Sequence, residues 1–130
     1  MNPSSNRRRL PAEWEPQGAV LLAWPPVGGD WTPLLDRVRV TLKNMVRGIS
    51  DRARVLVLSG EVETTRAELS DCEGEITVIP MELNDNWTRD YGPVTVLEEG
   101  KPILLDFGFN GWGLKFPADR DNLVTRALCE

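Results

Sequence analysis

Histidine is absent from this chain of 130 residues, and cysteine occurs only at Cys72 and Cys129. Without histidine, the chain alone cannot form a Ser-His-Asp triad, a Cys-His pair or a His-ligated metal site. Two cysteines are too few for a disulfide framework or a four-cysteine zinc site. We therefore predict that the chain binds no metal ion and contains no triad of its own.

Basic residues and long apolar runs are also scarce. The 15 Lys and Arg residues are outnumbered by 20 Asp and Glu residues, which gives a net charge of −5 and argues against phosphate-driven nucleic-acid binding. No stretch approaches the roughly 20 apolar residues of a membrane span, and the Arg run at residues 7–9 precedes LPAEWEP rather than a signal-peptide core. We expect no nucleic-acid or membrane partner, a cytoplasmic location, and a disordered start over residues 1–9.

The hydrophobic pattern predicts a single α/β domain over residues 1–130. Short apolar runs predict buried strands at residues 18–24 and 54–58, and an alternating pattern at residues 75–79 predicts a third strand. Helices are predicted from Thr32 to Ile49, from Ser59 to Leu69 and from Leu123 onward, with Thr32 and Ser59 as side-chain caps. A hairpin over residues 93–106 makes the sheet mixed rather than purely parallel.

Two segments between the predicted strands carry unusually many functional groups. Residues 84–93 combine two carboxylates, two amides, an arginine and a tryptophan, and residues 106–116 hold four aromatic side chains among three glycines. Loops placed by a rigid sheet are frequent binding sites. By itself this pattern also fits an Arg89–Asp90 ion pair and a small aromatic core patch. Asp119 and Asp121 lack the pattern of a calcium loop and are interpreted as caps or surface residues.

Four motifs in order give the chain a family resemblance. They are LPAEWEP at residues 10–16, LAWP at 22–25, WTRDYGP at 87–93 and DFGFNGWG at 106–113. This series resembles the N-terminal part of the agmatine deiminase and bacterial (Porphyromonas-type) peptidylarginine deiminase family. The resemblance implies a pentein fold, a five-bladed α/β propeller of β-β-α-β units, of which about two units would be present here.

The resemblance also implies the chemistry. In this family a cysteine thiolate attacks a guanidinium carbon, ammonia leaves, and water releases a ureido product, with a histidine moving the protons and no cofactor. The expected substrate is a small guanidino cation, agmatine, which yields N-carbamoylputrescine for putrescine biosynthesis.

Matching the motifs residue by residue implies the site. Asp90 matches the aspartate that holds the guanidinium, since a carboxylate meets that planar fork of N–H donors bidentately. Trp87 matches the neighbouring aromatic, whose cation–π attraction is worth about 0.5–2 kcal/mol. Arg89 is expected to orient the loop through a carboxylate. We expect three further residues to line the pocket: Asp85, Asn110 and Trp112.

Two elements of the family pattern have no match here. The catalytic histidine is missing, and neither Cys72 nor Cys129 lies in the motif of the nucleophile. We interpret the chain as an N-terminal portion of such a deiminase, inactive alone and able to form a homo-oligomer. The alternatives are a peptidylarginine deiminase of the same family and a non-catalytic fragment or interaction module.

Overall fold

A computed structural model of the chain describes residues 8–130. The strands are β1 (Arg8–Arg9), β2 (Val20–Ala23), β3 (Val55–Ser59), β4 (Ile76–Pro80), β5 (Val94–Glu98) and β6 (Lys101–Leu105). The helices are α1 (Leu35–Ser50), α2 (Val62–Glu68), α3 (Thr88–Tyr91), α4 (Gly111–Leu114) and α5 (Val124–Cys129). Single 3₁₀ turns, Thr32–Leu34 and Asp121–Leu123, precede α1 and α5.

Strands β2, β3 and β4 form a parallel sheet in sequence order. Side chains alternate between its faces, as a pleated strand requires. Val57 packs with Val46 of α1 on one face, while its neighbour Leu58 packs with Tyr91 and Val124 on the other. The predicted packing on both faces is confirmed for β2 and β3, whereas β4 alternates as predicted, with Val78 buried and Thr77 exposed.

Helix α1 uses only part of its apolar stripe to cover this sheet. Val46 is fully buried, whereas Leu34 in the preceding 3₁₀ turn and Met45 in α1 are 48% and 45% exposed. The predicted Thr32 cap is wrong, because the Thr32 hydroxyl donates a hydrogen bond to the Gly29 carbonyl (2.6 Å) and a 3₁₀ turn intervenes before α1. Ser59 does accept a hydrogen bond from the Glu61 N–H (3.0 Å) before α2.

The hairpin belongs to a second sheet, which corrects the predicted mixed sheet. Strands β5 and β6 pair antiparallel, and β1 adds to β5 on the outer side. Arg8 and Arg9 are therefore strand residues rather than a disordered start; residues 1–7 lie outside the described residues. Arg8 also pairs with Glu98 across this edge (2.7 Å).

The first family-like motif, LPAEWEP, forms a closed turn. The Glu15 carboxylate accepts hydrogen bonds from the Arg9 guanidinium (2.6 and 2.9 Å) and from the Ala12 N–H (2.8 Å). These contacts lower the pKa of Glu15 to about 2, the Arg9 hydrogen bond being the larger cause. The motif is accounted for by its turn geometry.

No helix within residues 8–130 is long and apolar enough to cross a membrane.

Candidate functional site

The acidic loop, defined as residues 84–93, follows β4, and its own residue Tyr91 anchors it to the parallel sheet. The Tyr91 ring is buried against the parallel sheet, and its hydroxyl donates a hydrogen bond to the Asp85 carbonyl (2.9 Å). Burial raises the pKa of Tyr91 strongly, and the carboxylates of Asp121, Asp85 and Asp90 add to the effect. At Gly92 a Cβ atom would lie 2.6 Å from the Thr88 carbonyl oxygen, so this turn requires glycine.

Three carboxylates in and beside this loop concentrate negative charge. Asp85 is half-buried, and burial raises its pKa although its side chain accepts a hydrogen bond from the Asn86 N–H (2.7 Å). The charges of Asp30 and Asp90 raise it further, which places both near Asp85. Within residues 8–130 none of the three forms an ion pair, whereas nine ion pairs lie elsewhere in this part of the chain. Such a cluster is suited to a cation supplied from outside.

Trp87 borders a cleft of about 580 Å³ between α1 and the acidic loop. Trp31 lies in the same cleft and donates a hydrogen bond from its indole Nε1 to the Asn86 side-chain oxygen (2.9 Å). Trp87 is 52% exposed, so its ring remains available to a ligand. Asp90, one helical turn later, is also exposed but lies outside the cleft lining.

Arg89 does not make the contact predicted for it. Its side chain lines the cleft beside Trp87 and, among residues 8–130, forms neither a hydrogen bond nor an ion pair with a carboxylate. The interpretation of Arg89–Asp90 as an ordinary ion pair is likewise wrong for the described residues. Successive positions of a one-turn helix project in different directions, which keeps the two groups apart.

The aromatic loop, residues 106–116, contains strained backbone. Residues 111–114, which form α4, all have positive φ, including Trp112 (55°) and Leu114 (63°). At Gly111 a Cβ atom would lie 2.1 Å from the Phe116 carbonyl oxygen, so only glycine fits. The Asn110 side chain stabilises this turn by accepting a hydrogen bond from the Gly113 N–H (2.9 Å). Left-handed non-glycine residues are costly and concentrate at functional sites.

Trp112 is packed within its own loop. Its ring meets Phe109 and Phe116 edge to face, with centroid distances of 4.9 and 5.7 Å. Phe109 in turn joins the cluster around Tyr91 beneath the parallel sheet, which brings the two loops to the same side of the molecule. No hydrogen bond in the described part of the chain joins Asn110 or Trp112 to Asp90.

Asp121 is neither the cap nor the surface residue that the sequence predicts. It is 1% exposed, not a surface residue, and its Oδ1 atom accepts hydrogen bonds from the Asn84 and Asp85 N–H groups (2.8 and 3.4 Å). Burial raises the pKa of Asp121 despite these bonds. Its neighbour Asn122 binds the backbone of Phe109 through both side-chain atoms.

Asp30, Trp31 and Asn86 were also missed as site residues. A usable signal existed for them, because ligand sites of parallel sheets form beyond the carboxyl ends of the strands. Asp30 and Trp31 follow β2, and Asn86 follows β4. No comparable local signal marks Asp121 and Asn122, whose contacts span more than ten residues of sequence.

The two cysteines differ in burial. Cys72 is half-buried against the core under α1, and Cys129 is exposed near the end of α5. Among residues 8–130 no three His, Cys, Asp or Glu side chains are arranged to hold a metal ion.

Comparison with known proteins gives consistent matches over this architecture. The family model for Porphyromonas-type peptidyl-arginine deiminase matches residues 9–130. The agmatine deiminase of Pseudomonas aeruginosa (strain LESB58) is 33% identical over 99% of this chain and 38% of its own length.

Solved structures agree. A cysteine-to-serine variant of C. jejuni agmatine deiminase with substrate bound has a TM-score of 0.89 and 28% identity over 98% of this chain and 38% of its own. The Enterococcus faecalis agmatine deiminase has a TM-score of 0.78 and 32% identity over 94% of this chain and 35% of its own. The chain thus spans little more than a third of the length of these relatives.

Proposed function

Because this chain belongs to the Porphyromonas-type peptidyl-arginine deiminase family, we propose that it supplies the guanidinium-holding part of an agmatine deiminase. The reaction would convert agmatine and water into N-carbamoylputrescine and ammonia. The chain corresponds to the N-terminal portion of that enzyme, and the nucleophilic cysteine and the proton-moving histidine would come from outside these 130 residues.

The unpaired acidic cluster is the observation that carries this proposal. Asp85 and Asp90, with Asp30 nearby, have no cationic partner among residues 8–130, and Trp87 offers an exposed aromatic face one helical turn from Asp90. A guanidinium satisfies both groups, because its N–H donors match a carboxylate and its flat cation stacks on an indole.

Each residue has a distinct role in this proposal. Asp90 would accept the N–H donors of the guanidinium, and Asp85 would add charge that attracts the cation. Trp87 would cover one face of the substrate. Asn110 and Trp112 would complete the wall from the aromatic loop, whose strained turn keeps the Trp112 ring in one orientation.

A binding experiment tests the proposal on the chain as it stands. Isothermal titration of the 130-residue protein with agmatine is compared with titration by putrescine, which has the same four-carbon diamine skeleton without the guanidinium. We expect agmatine to bind and putrescine to bind at least about tenfold more weakly, since a bidentate charge-assisted pair contributes about 1.5–3 kcal/mol. Equal affinity for both ligands would contradict a guanidinium site.

The same titration separates the alternatives. A short peptide with an internal arginine that binds more tightly than agmatine would favour a peptidylarginine deiminase. Absence of binding by agmatine, putrescine and the peptide would favour a non-catalytic interaction module.

A further inference from the structure

The turn that precedes α5, residues 119–122, contacts both loops of the proposed site. Asp121 holds the acidic loop, since its buried Oδ1 atom accepts hydrogen bonds from the N–H groups of Asn84 (2.8 Å) and Asp85 (3.4 Å). Two consecutive N–H groups aimed at one oxygen fix the direction in which the chain leaves β4.

The Asn84 side chain of the acidic loop in turn binds the turn before α5. The Asn84 side-chain oxygen accepts hydrogen bonds from the N–H groups of Arg120 (2.8 Å) and Asp121 (3.2 Å), and its amide group donates to Asp119 (3.2 Å). A reciprocal set of hydrogen bonds defines a relative position far more narrowly than a single contact.

Asn122, the next residue, holds the aromatic loop in the same manner. Its Oδ1 atom accepts a hydrogen bond from the Phe109 N–H (2.7 Å), and its Nδ2 atom donates one to the Phe109 carbonyl (2.9 Å). This pairing fixes the loop immediately before Asn110 and the strained turn around Trp112.

We propose that Asp121 and Asn122 are positioning residues, which set the distance between the acidic and the aromatic loop from adjacent places on one turn. This inference rests on the proposed function only for the identity of the ligand. Adjacent residues of a hydrogen-bonded turn cannot move independently, so a displacement of one loop is passed to the other.

The experiment uses the 130-residue chain labelled with ¹⁵N. The variants are Asp121→Ala, Asp121→Asn and Asn122→Ala, with Asp51→Ala in an exposed turn as the control. Each is measured by the indole N–H signals of Trp87 and Trp112, by agmatine titration and by thermal melting. The indole signals report the arrangement of the two loops even without ligand.

Loss of the Asp121 carboxylate should displace the Trp87 signal and weaken agmatine binding about fivefold or more, the effect of one lost hydrogen bond. Asp121→Asn should restore both, because the amide oxygen can accept the same two bonds. Asn122→Ala should displace Trp112 and also Trp87, although it touches only the aromatic loop. If Asp121→Ala fails to melt cooperatively, Asn122→Ala and Asp121→Asn carry the test.

Two results would overturn the inference. In one, Asn122→Ala alters only signals of the aromatic loop and leaves Trp87 unchanged. In the other, the wild-type chain binds agmatine and Asp121→Ala and Asn122→Ala, both folded, bind it equally well. If the wild-type chain binds no agmatine while Asn122→Ala displaces both indole signals, the proposed function is wrong and the positioning role stands.

Discussion

Asp71 in a turn and Asp90 in the one-turn helix α3 are both exposed, yet their surroundings differ completely. Asp71 pairs with Lys43 (2.7 Å) and Arg47 (3.2 Å), and these cations, Lys43 foremost, lower its pKa. Asp90 has no cationic partner in residues 8–130. The difference follows from position, because Asp71 contacts basic residues of α1, whereas the charge of Asp90 acts on the carboxyl group of Asp85 and raises its pKa. An unpaired carboxylate can bind a cation from outside the chain without breaking an existing ion pair.

Replacement of Asp90 by Asn should therefore weaken the site without unfolding it. We expect agmatine affinity, and kcat/KM in a catalytically complete enzyme, to fall about 10–100-fold, since a charge-assisted hydrogen bond contributes about 1.5–3 kcal/mol. Trp87→Phe should give a smaller loss, because an aromatic face remains. Asp51→Asn is the matched control, as Asp71 is committed to an ion-pair cluster. A folded Asp90→Asn variant with unchanged affinity would refute the guanidinium role of Asp90.

Asp85 should make binding depend on pH. Its folded pKa is raised from the ordinary 3.8, first by burial, so it begins to take up a proton above that pH and loses its attraction for a cation. Agmatine affinity should decline on acidification from neutral pH, beginning above pH 3.8, and the decline should be reduced in Asp85→Asn. Agmatine titrations from pH 4 to pH 8 measure this decline. Identical affinity profiles for the wild type and Asp85→Asn would show that the Asp85 carboxylate does not interact with the bound cation.

The same raised pKa has a consequence for stability. A carboxyl group whose folded pKa exceeds its unfolded pKa binds more protons when folded, so its contribution to stability is lost as pH rises through the folded value. Asp85→Asn removes this penalty while keeping an acceptor for the Asn86 N–H. We expect its Tm at pH 7 to be equal to or above that of the wild type, a trade of stability for function.

The β5–β6 hairpin contains a non-glycine residue with positive φ in its turn. Its two-residue turn, Glu99–Gly100, has φ values of 51° and 79°, as a type I′ turn requires. Glycine adopts this geometry freely, but a glutamate in the left-handed region is strained. Asparagine is the preferred residue at the first position of such turns.

Glu99→Asn should accordingly stabilise the chain by up to about 1 kcal/mol, because the left-handed conformation costs most residues roughly 1–2 kcal/mol and asparagine adopts it more readily. Thermal melting with a fitted free energy of unfolding measures the gain. Glu73→Asn, at an exposed position before β4 without positive φ, removes the same charge and is the matched control. An equal gain in both variants would mean that reduced negative charge, rather than turn geometry, is the cause.

At the scale of the whole molecule, the described chain exposes several large apolar side chains. Leu34 in the 3₁₀ turn before α1 and Met45 on α1 border the cleft. Phe107, Leu114 and Phe116 of the aromatic loop are 52–87% exposed. Contiguous exposed apolar groups favour association. We predict self-association of the isolated chain, measured by light scattering over a concentration series. A monomer at high concentration with a cooperative melt would contradict this prediction.

The isolated chain should also be catalytically inactive. It contains no histidine, and neither Cys72 nor Cys129 lies in the motif of the family's nucleophile. Without a nucleophile and a proton shuttle the covalent route is closed. Ureido product formed from agmatine, measured by a colorimetric assay and absent from a Cys72→Ala/Cys129→Ala control, would contradict the assignment of the catalytic groups to residues beyond this chain.

Much of the framework follows from local pattern. Short apolar runs mark β2 and β3 as strands packed on both faces, and alternation marks β4. Glycine at Gly92 and Gly100 marks turns that local sterics demand. The residue types of the acidic loop, and the absence of histidine, are equally visible without a structure. These features depend on neighbours within a few residues, where propensity and sterics decide.

Tertiary structure alone decided the environment of each carboxylate. Asp121 and Asp119 look alike in sequence, but one is buried beneath Asn84 and the other is exposed. The sequence could likewise not predict that the hairpin forms its own sheet or that Arg89 is unpaired in residues 8–130. Each feature depends on chain segments that are distant in sequence and meet only in the folded chain. Burial and the proximity of other charges, which set a pKa, exist only once those segments have met.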